Sequence, residues 1–294
     1  MAQIFNSVYI VPKLNEKDSA VVRLVTEIIG KAATCSEPKI EVLTGPNPRI
    51  TGSTLIVAVG GDGTMLEAMR LAALHGAVAT GINLGNVGFL TDFTYDKGNG
   101  SDHIVAPHNL KLFNELMVMF HKSSTYPLEE RMALKILASD EHKLIGDTPV
   151  FNEFVLSNLY SDRLIKYHLK INNVDAGYHK ANGIIVGTPT GSTAYTLSNG
   201  GGLILPSMKA IQIVPIAPLS LSSRPIIVPG DEVVSITVET EGTWTLKGDG
   251  NRLAEFDKSL TIDITEYHRY MKVLHTKEWN YFDMLSDKLH WKHL

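Results

Sequence analysis

The stretch TLIVAVGGDGTMLEAMRLAALH, residues 54–75, decides how the first part of the chain folds. Its first six residues are almost entirely apolar, which predicts a buried strand, and residues 65–75 predict a helix. Between them lies the turn Gly60-Gly61-Asp62-Gly63-Thr64. In such a turn, backbone N–H groups and the positive end of a helix approach an anion closely, so the turn predicts a phosphate site. It matches neither the Walker A loop nor the G-x-G-x-x-G dinucleotide pattern.

Asp62 is the unexpected residue of this turn. A carboxylate repels a phosphate unless it takes up a proton or contacts a metal ion. The residue is therefore a candidate general base or a candidate magnesium contact. The alternative is an aspartate that only stabilises its own turn.

The segments on both sides of this stretch alternate between strand and helix patterns. Strands are predicted at residues 7–11, 40–43 and 78–84, and an amphipathic helix at residues 18–33. The last of these strands runs into a second glycine loop, residues 83–90. The alternation predicts an α/β domain with a Rossmann-like parallel sheet over residues 1–100. Both glycine loops follow the carboxyl ends of strands, where open α/β sheets bind their ligands.

Beyond the first domain come a connection, a helix and then, after Arg131, a series of short strands. Residues 95–108 predict a connection, and residues 109–121 predict a helix with Asn109 near its cap. Strands are then predicted at residues 132–138, 150–157, 164–171, 184–187, 211–216, 233–239, 243–246 and 260–264. The sequence therefore predicts a β-rich domain over residues 101–270. A strand-then-helix tail, residues 271–294, is predicted to pack back on the first domain.

A second candidate site lies in the stretch NGIIVGTPTGSTAY, residues 182–195. An apolar strand leads there into a turn that is rich in serine, threonine and glycine. Several hydroxyl and N–H groups in a small volume suit the oxygens of a ribose or a phosphate. The alternative is an ordinary helix cap.

Composition excludes several partners. The 294 residues include 27 Lys and Arg against 31 Asp and Glu, a net charge of −4, which argues against nucleic acid. The single cysteine excludes an internal disulfide and a multi-cysteine zinc site, and the 11 histidines form no metal-binding pattern, so no dedicated metal site is expected. No apolar run is long enough for a membrane span, and the amino terminus does not read as a secretory signal. We therefore expect a soluble cytoplasmic protein that binds no membrane.

Several motifs occur in the order found in NAD kinases, and together they resemble that family over most of the chain. These motifs are Gly60-Gly61-Asp62-Gly63-Thr64, residues 86–92 (NVGFLTD), Asn152-Glu153, residues 188–195 (TPTGSTAY), residues 221–225 (LSSRP) and Asp249-Gly250. The first motif alone is shared with lipid kinases and 6-phosphofructokinases. The complete set resembles NAD kinases specifically.

The resemblance implies a reaction and an architecture. The γ-phosphate of ATP would be transferred to the 2′-hydroxyl of the adenosine ribose of NAD to give NADP, with magnesium carried mainly by ATP. The family fold is an α/β amino-terminal domain beside a β-rich carboxyl-terminal domain, with the site in the cleft between them. The family generally forms homodimers or homotetramers.

The resemblance also implies roles for individual residues. Asp62 resembles the carboxylate that accepts the hydroxyl proton, and Gly63 helps to form the phosphate turn. Asn152 and Glu153 resemble the pair that holds the adenine and ribose side of NAD. The other implied ligand residues are Arg163, Lys180, Asn182, Thr193, Ala194, Tyr195, Thr196, Leu197, Ser198 and, by a loose match, Asn251.

Two positions depart from the common bacterial pattern. Asn182 stands where an aspartate is usual, and Leu219 stands where a histidine is often present. The first change removes a negative charge and the second removes a hydrogen-bonding side chain near the ligand, so a catalytically silent NAD(P)-binding sensor stays open as an alternative. A lipid kinase that shares the first glycine motif is the other alternative, and it would need a membrane-facing surface.

Overall fold

The computed structural model describes residues 5–13, 19–45, 48–85, 88–95, 107–138, 147–160, 163–239 and 242–291. The chain divides into two units, Met1–Glu130 with Met271–Leu294, and Arg131–Tyr270. The division lies later than the predicted boundary at residue 100. The reason is the helix Pro107–His121, whose apolar residues Leu112 and Leu116 belong to the core of the first unit.

Strands and helices have the following bounds within these residues. The strands are β1 Ser7–Pro12, β2 Glu41–Leu43, β3 Thr54–Val59, β4 Val78–Asn83, β5 Phe93–Thr94, β6 Leu128–Arg131, β7 Leu134–Ala138, β8 Glu153–Asn158, β9 Ile165–Ile171, β10 Val174–Gly187, β11 Ala210–Pro218, β12 Ile226–Pro229, β13 Val234–Glu239, β14 Trp244–Gly248, β15 Asn251–Phe256, β16 Leu260–Glu266 and β17 Met271–Leu274. The helices are α1 Ala20–Cys35, α2 Asp62–His75, α3 Pro107–His121, α4 Tyr195–Ser198 and α5 Tyr281–Lys288, with 3₁₀ turns at Ser123–Thr125 and Thr190–Thr193.

The first unit is built on a mostly parallel sheet with the order β2-β1-β3-β4-β17-β6, and β5 pairs with β4. β1, β3, β4 and β17 pair in parallel. Every residue of β3 and β4 is buried, as expected for central strands that are covered on both faces. The predicted α/β fold with a Rossmann-like parallel sheet is confirmed. β17, from the carboxyl-terminal tail, lies beside β4 in this sheet.

Two helix starts of the first unit differ from the sequence-based expectation. α1 begins at Ala20, because the Ser19 hydroxyl caps it by accepting the Val22 N–H at 3.3 Å. The predicted start, Asp18, lies outside the described residues. α3 begins at Pro107, two residues before the predicted cap Asn109, since proline suits the first helical position. Most of the predicted connection, residues 96–106, also lies outside the described residues.

The second unit is built on an antiparallel sheet with the order β15-β14-β8-β10-β9-β13-β16-β7, and β11 pairs with β10 and β12. Its core packs the inward-facing residues of these strands, including Trp244, Phe154 and Ile236. The predicted β-rich fold is confirmed. β10 is much longer than the predicted strand at residues 184–187, and β12 and β15 were not predicted.

None of the helices in the described part of the chain is long and apolar enough to cross a membrane.

Candidate functional site

The glycine turn places Asp62 at the first residue of α2, where the helix presents its positive end. Gly61 is the cap residue of this helix and, as a glycine, supplies no side-chain cap to the first N–H groups. Asp62 is half-buried, whereas Gly63 is exposed, and a Cβ added to Gly63 would meet nothing within 4 Å outside its own helix backbone. The turn thus has the geometry of a candidate anion site, and phosphate binding there stays a prediction.

The Asp62 carboxylate holds the second glycine loop. Its Oδ2 accepts the Phe89 N–H at 2.9 Å, and its Oδ1 accepts the Leu90 N–H at 3.0 Å. A Cβ added to Gly88 would lie 1.8 Å from Asp62 Oδ1, so the close approach of the two loops requires glycine there. Asp62 thus stabilises the neighbouring loop as well as starting its own helix. Asn86 and Val87 of this loop lie outside the described residues.

The same loop is fixed from its other side by Asn83 and Thr91. Asn83 Nδ2 donates to Thr91 Oγ1 at 3.2 Å, and Asn83 Oδ1 accepts the Gly85 N–H at 2.7 Å. Thr91 is buried against β4. The backbone that orients Asp62 is therefore itself held by side-chain hydrogen bonds.

In the second unit, Asn152 and Glu153 lie at the start of β8, against the turn formed by residues 188–193. The Asn152 carbonyl accepts the Thr188 N–H at 2.9 Å. A Cβ added to Gly191 would lie 2.1 Å from the same carbonyl oxygen, so only glycine lets the turn pack there. The predicted pair and the predicted turn are thus brought into direct contact.

Several hydroxyl groups of this turn bond to backbone groups of the turn or of neighbouring segments. Ser192 Oγ donates to the Pro189 carbonyl at 2.7 Å and accepts the Ile204 N–H at 3.0 Å. The hydroxyl of buried Thr196 donates to the Gly191 carbonyl. These side chains shape the turn. Tyr195, 44% exposed, instead presents its ring to solvent.

Glu153 is the most unusual group in the second unit. Its side chain is 4% exposed, and Oε2 has no hydrogen-bond partner among the described residues. Burial, and then the negative charge of Asp249, raise the pKa of Glu153 from 4.5 to about 7, although the Tyr195 N–H bonds the carboxylate and opposes the shift. A buried carboxyl oxygen without a partner is the atom that a ligand hydroxyl would satisfy.

The Asp249 carboxylate holds the backbone at Phe151 and Asn152. The sequence does not predict this contact. Its Oδ1 accepts the Asn152 N–H at 2.6 Å and the Phe151 N–H at 3.1 Å. Asp249 and Gly250, with φ of 47° and 78°, form the two-residue turn between β14 and β15. Predicted Asn251 follows the turn, is exposed, and donates from Nδ2 to the Asp249 carbonyl at 3.4 Å.

The remaining predicted ligand residues belong to a different surface of the second unit. Exposed Arg163 and Lys180 line a groove of about 720 Å³ together with Lys166 and Tyr178. The Arg163 guanidinium lies 5.7 Å from the centre of the Tyr160 ring. Three cationic side chains and one carboxylate, Glu239, line this groove, so its net charge is positive and suits an anionic ligand.

The predicted residues therefore fall into three groups, apart from Asn182, which lies on β10 two residues after Lys180. Asp62 and Gly63 lie in the first unit, and Arg163 and Lys180 line the cationic groove. The third group, around Asp249, contains Asn152, Glu153, Asn251 and the segment Thr193, Ala194, Tyr195, Thr196, Leu197 and Ser198. Across the ranges that the structure describes, no cluster of three or more His, Cys, Asp or Glu side chains is arranged to hold a metal ion.

Comparison with known proteins decides the family. Residues 23–101 match the family model of the ATP-NAD kinase N-terminal domain, and residues 151–276 match that of the ATP-NAD kinase C-terminal domain. An NAD kinase of Thiobacillus denitrificans is 35% identical over 243 residues, covering 82% of this chain and 78% of that protein. An NAD kinase of Magnetococcus marinus is 34% identical over 271 residues, covering 91% and 83% of the two chains. The chain belongs to the NAD kinase family.

Solved structures of NAD kinases have the same fold. A yeast NADH kinase in complex with NADH is similar with a TM-score of 0.78 and 22% identity, covering 99% of this chain and 89% of that chain. An Archaeoglobus fulgidus NAD kinase in complex with ATP has a TM-score of 0.72 and 21% identity, covering 97% and 98%. The fold that the resemblance implies is therefore confirmed, and the family-model and sequence matches confirm the resemblance itself.

The two departures from the common NAD kinase pattern lie on or beside β10. Asn182 is half-buried two residues after Lys180, so both side chains belong to one face of the strand. Leu219 is 66% exposed, and its N–H donates to the Lys180 carbonyl at 2.9 Å. Both departures therefore adjoin the cationic residues of the groove and leave Asp62 and Glu153 unchanged.

Replacing Gly191 with alanine should lower the free energy of unfolding by roughly 2 kcal/mol, because the added Cβ meets the backbone of Asn152 and not a flexible side chain. Gly30→Ala is the matched control. Gly30 lies inside α1 with nothing within 4 Å of an added Cβ, so alanine there should raise the free energy of unfolding by about 0.5 kcal/mol. Urea unfolding of both variants checks the difference. Equal stability of the two variants would contradict the described contact.

Proposed function

We propose that this member of the NAD kinase family transfers the γ-phosphoryl group of ATP to the 2′-hydroxyl of the adenosine ribose of NAD, which gives NADP and ADP. The observation that carries the proposal is the Asp62 carboxylate, held by two backbone N–H groups at the positive end of α2. An anion-binding turn that contains a fixed carboxylate suits a reaction in which a hydroxyl attacks a phosphate.

In the first unit, the glycine turn binds phosphate through backbone N–H groups, and Asp62 acts on the acceptor. Each carboxylate oxygen accepts one N–H and keeps a lone pair for another partner. The 2′-oxygen forms a bond to the γ-phosphorus while the bond to the bridging β–γ oxygen breaks. The hydroxyl proton passes to Asp62 as the transfer completes. Because the N–H groups fix the carboxylate in advance, little reorientation is needed.

In the second unit, the group around Asp249 binds the adenosine of NAD. Glu153 Oε2, buried without a partner, accepts a ribose hydroxyl, and the Asn152 amide reads an adenine edge. The exposed ring of Tyr195 offers a flat surface to a base. Arg163 and Lys180 bind an anionic or polar part of a nucleotide in their groove.

Magnesium is proposed to enter with ATP. The ion binds substrate phosphates and keeps several waters, so the ATP phosphates would hold most of it and Asp62 keeps its role as the proton acceptor. When bound, magnesium neutralises developing phosphate charge. We also propose that the protein assembles as a homodimer or homotetramer.

The test is formation of NADP by the purified protein from NAD, ATP and magnesium, measured with an NADP-specific dehydrogenase. We expect NADP with magnesium and none after chelation with EDTA, because ATP without the ion lacks charge neutralisation. The same assay is repeated with NADH as the acceptor, and with other nucleotides or polyphosphate as the phosphoryl donor. Absence of NADP in every condition would overturn the proposal.

Two other outcomes would identify the alternatives. Phosphorylation of sphingosine or diacylglycerol, with NAD inert, would identify a lipid kinase. Tight binding of NAD or NADP by calorimetry, without turnover under any donor, would identify a catalytically silent sensor.

A further inference from the structure

A buried histidine lies between two carboxylates in the first unit. His275, directly after β17, is 1% exposed. Its Nδ1 lies 3.3 Å from Asp92 Oδ2, and its Nε2 lies 3.2 Å from Glu129 Oε2. The Trp279 ring stacks on the imidazole with 3.9 Å between ring centres. The histidine is therefore held in one orientation by both ring nitrogens and one ring face.

Thr276, the residue after His275, makes a second contact with Asp92. The Thr276 N–H donates to Asp92 Oδ2 at 2.7 Å, the same oxygen that faces His275. The segment itself is fixed to the sheet, because the His275 N–H donates to the Pro127 carbonyl at 3.0 Å and the Leu274 carbonyl accepts the Thr80 hydroxyl at 2.8 Å. Asp92 is thus anchored to a rigid part of the first unit.

Asp92 lies close in sequence to the two N–H groups that bond the Asp62 carboxylate. Phe89 and Leu90, whose N–H groups bond the Asp62 carboxylate, precede Asp92 by three and two residues. Thr91, between them and Asp92, is bonded by Asn83. A shift of Asp92 would therefore move the two N–H groups that orient Asp62.

We propose that His275 is a positioning residue for Asp62: it holds Asp92, and through the segment 89–92 it fixes the two N–H groups that orient the Asp62 carboxylate. This inference rests on the proposed function, because it assigns a kinetic consequence to the orientation of Asp62. Loss of the contact to Asp92 should lower kcat and leave substrate affinity in place, since misplacement of a reacting group by about 1 Å can slow a reaction by about a hundredfold.

Two variants distinguish the contact of His275 with Asp92 from its contact with Glu129. His275→Asn keeps a nitrogen donor near the Nδ1 position, which faces Asp92, and His275→Gln keeps one near the Nε2 position, which faces Glu129. We expect His275→Gln to lower kcat for NADP formation by about 10- to 100-fold with KM for NAD and ATP within about twofold. His275→Asn should keep kcat within about threefold of the wild type. Equal kcat values for the two variants would overturn the proposal.

Amide hydrogen exchange gives a readout that does not depend on activity. In His275→Gln, the amides of Phe89 and Leu90 should exchange at least about tenfold faster than in the wild type, and in His275→Asn they should not. The amides of β3 serve as the internal control and should be unchanged in both variants. Faster exchange in β3 as well, or unchanged exchange at Phe89 and Leu90 in His275→Gln, would overturn the proposal. If the wild type forms no NADP, the proposed function fails while the exchange result still decides the positioning role.

Discussion

Replacing Asp62 with asparagine should lower kcat for NADP formation by about a thousandfold, while KM for NAD and ATP changes little. An amide cannot take up the proton of the 2′-hydroxyl. It also offers one carbonyl oxygen to two N–H donors, so its nitrogen would face the N–H of Phe89 or Leu90. Both effects act on the chemical step, and steady-state kinetics with NAD and ATP varied separately measures them.

The matched control for this variant is Glu27→Gln, which removes an exposed carboxylate on α1. It has the same change in charge and should keep kcat within about twofold of the wild type. If Asp62→Asn keeps more than about a tenth of wild-type kcat, Asp62 is not the group that accepts the proton.

Replacing Glu153 with glutamine should stabilise the protein at alkaline pH and weaken NAD binding. The pKa of Glu153 is raised from 4.5 to about 7, so the folded state binds more protons than the unfolded state between these two values. The stability of the wild type therefore falls as the pH rises through this window, and the full penalty is present above pH 7. A neutral amide removes the penalty, because it carries no charge to bury beside Asp249.

We expect the variant to exceed the wild type in free energy of unfolding by roughly 3 kcal/mol at pH 8, and by less than about 1 kcal/mol at pH 5. Denaturant unfolding at the two pH values measures this difference. Asp257→Asn, at an exposed carboxylate of the same unit, should change stability by less than about 0.5 kcal/mol at both pH values. A Glu153→Gln gain that does not depend on pH would contradict the raised pKa.

The same variant should raise KM for NAD at pH 8 by about 10- to 100-fold, because a ribose hydroxyl would then donate to a neutral amide oxygen and no longer to a charged carboxylate. A variant that is more stable at pH 8 and binds NAD less well would indicate that the buried carboxylate serves the ligand and not the fold.

The fold could largely be predicted from the sequence where apolar runs are buried on both faces. β3 and β4 are such runs, and the glycine turn between β3 and α2 marks the boundary clearly. The amino-terminal half of β10, residues 174–181, could not be predicted, because it is mostly exposed and carries polar residues such as Asp175 and Lys180. It is held by pairing with β9 and by the turn at Asn172 and Asn173, both with positive φ. The boundary between the two units could not be predicted either, because only the packing of α3 shows that this helix belongs to the core of the first unit.

The sequence predicts candidate site residues but not the contacts between them. The pattern of the glycine turn singles out Asp62, yet the N–H groups that hold it come from residues 27 and 28 positions away. Asp249 reaches the Asn152 N–H across 97 residues, and His275 reaches Asp92 across 183. Such contacts leave no local periodicity. The Asp-Gly pair at Asp249 and the histidine before the last helix were the available signals, and neither identifies its partner.

Transfer of label from ATP to NAD analogues tests the central claim most directly. The protein would be given ATP labelled at the γ-phosphate with NAD, with an analogue that lacks the 2′-hydroxyl of the adenosine ribose, or with one that lacks the 3′-hydroxyl. We predict label in NAD and in the analogue without the 3′-hydroxyl, and none in the analogue without the 2′-hydroxyl. Labelling of the analogue without the 2′-hydroxyl, or no labelling of NAD, would contradict the account.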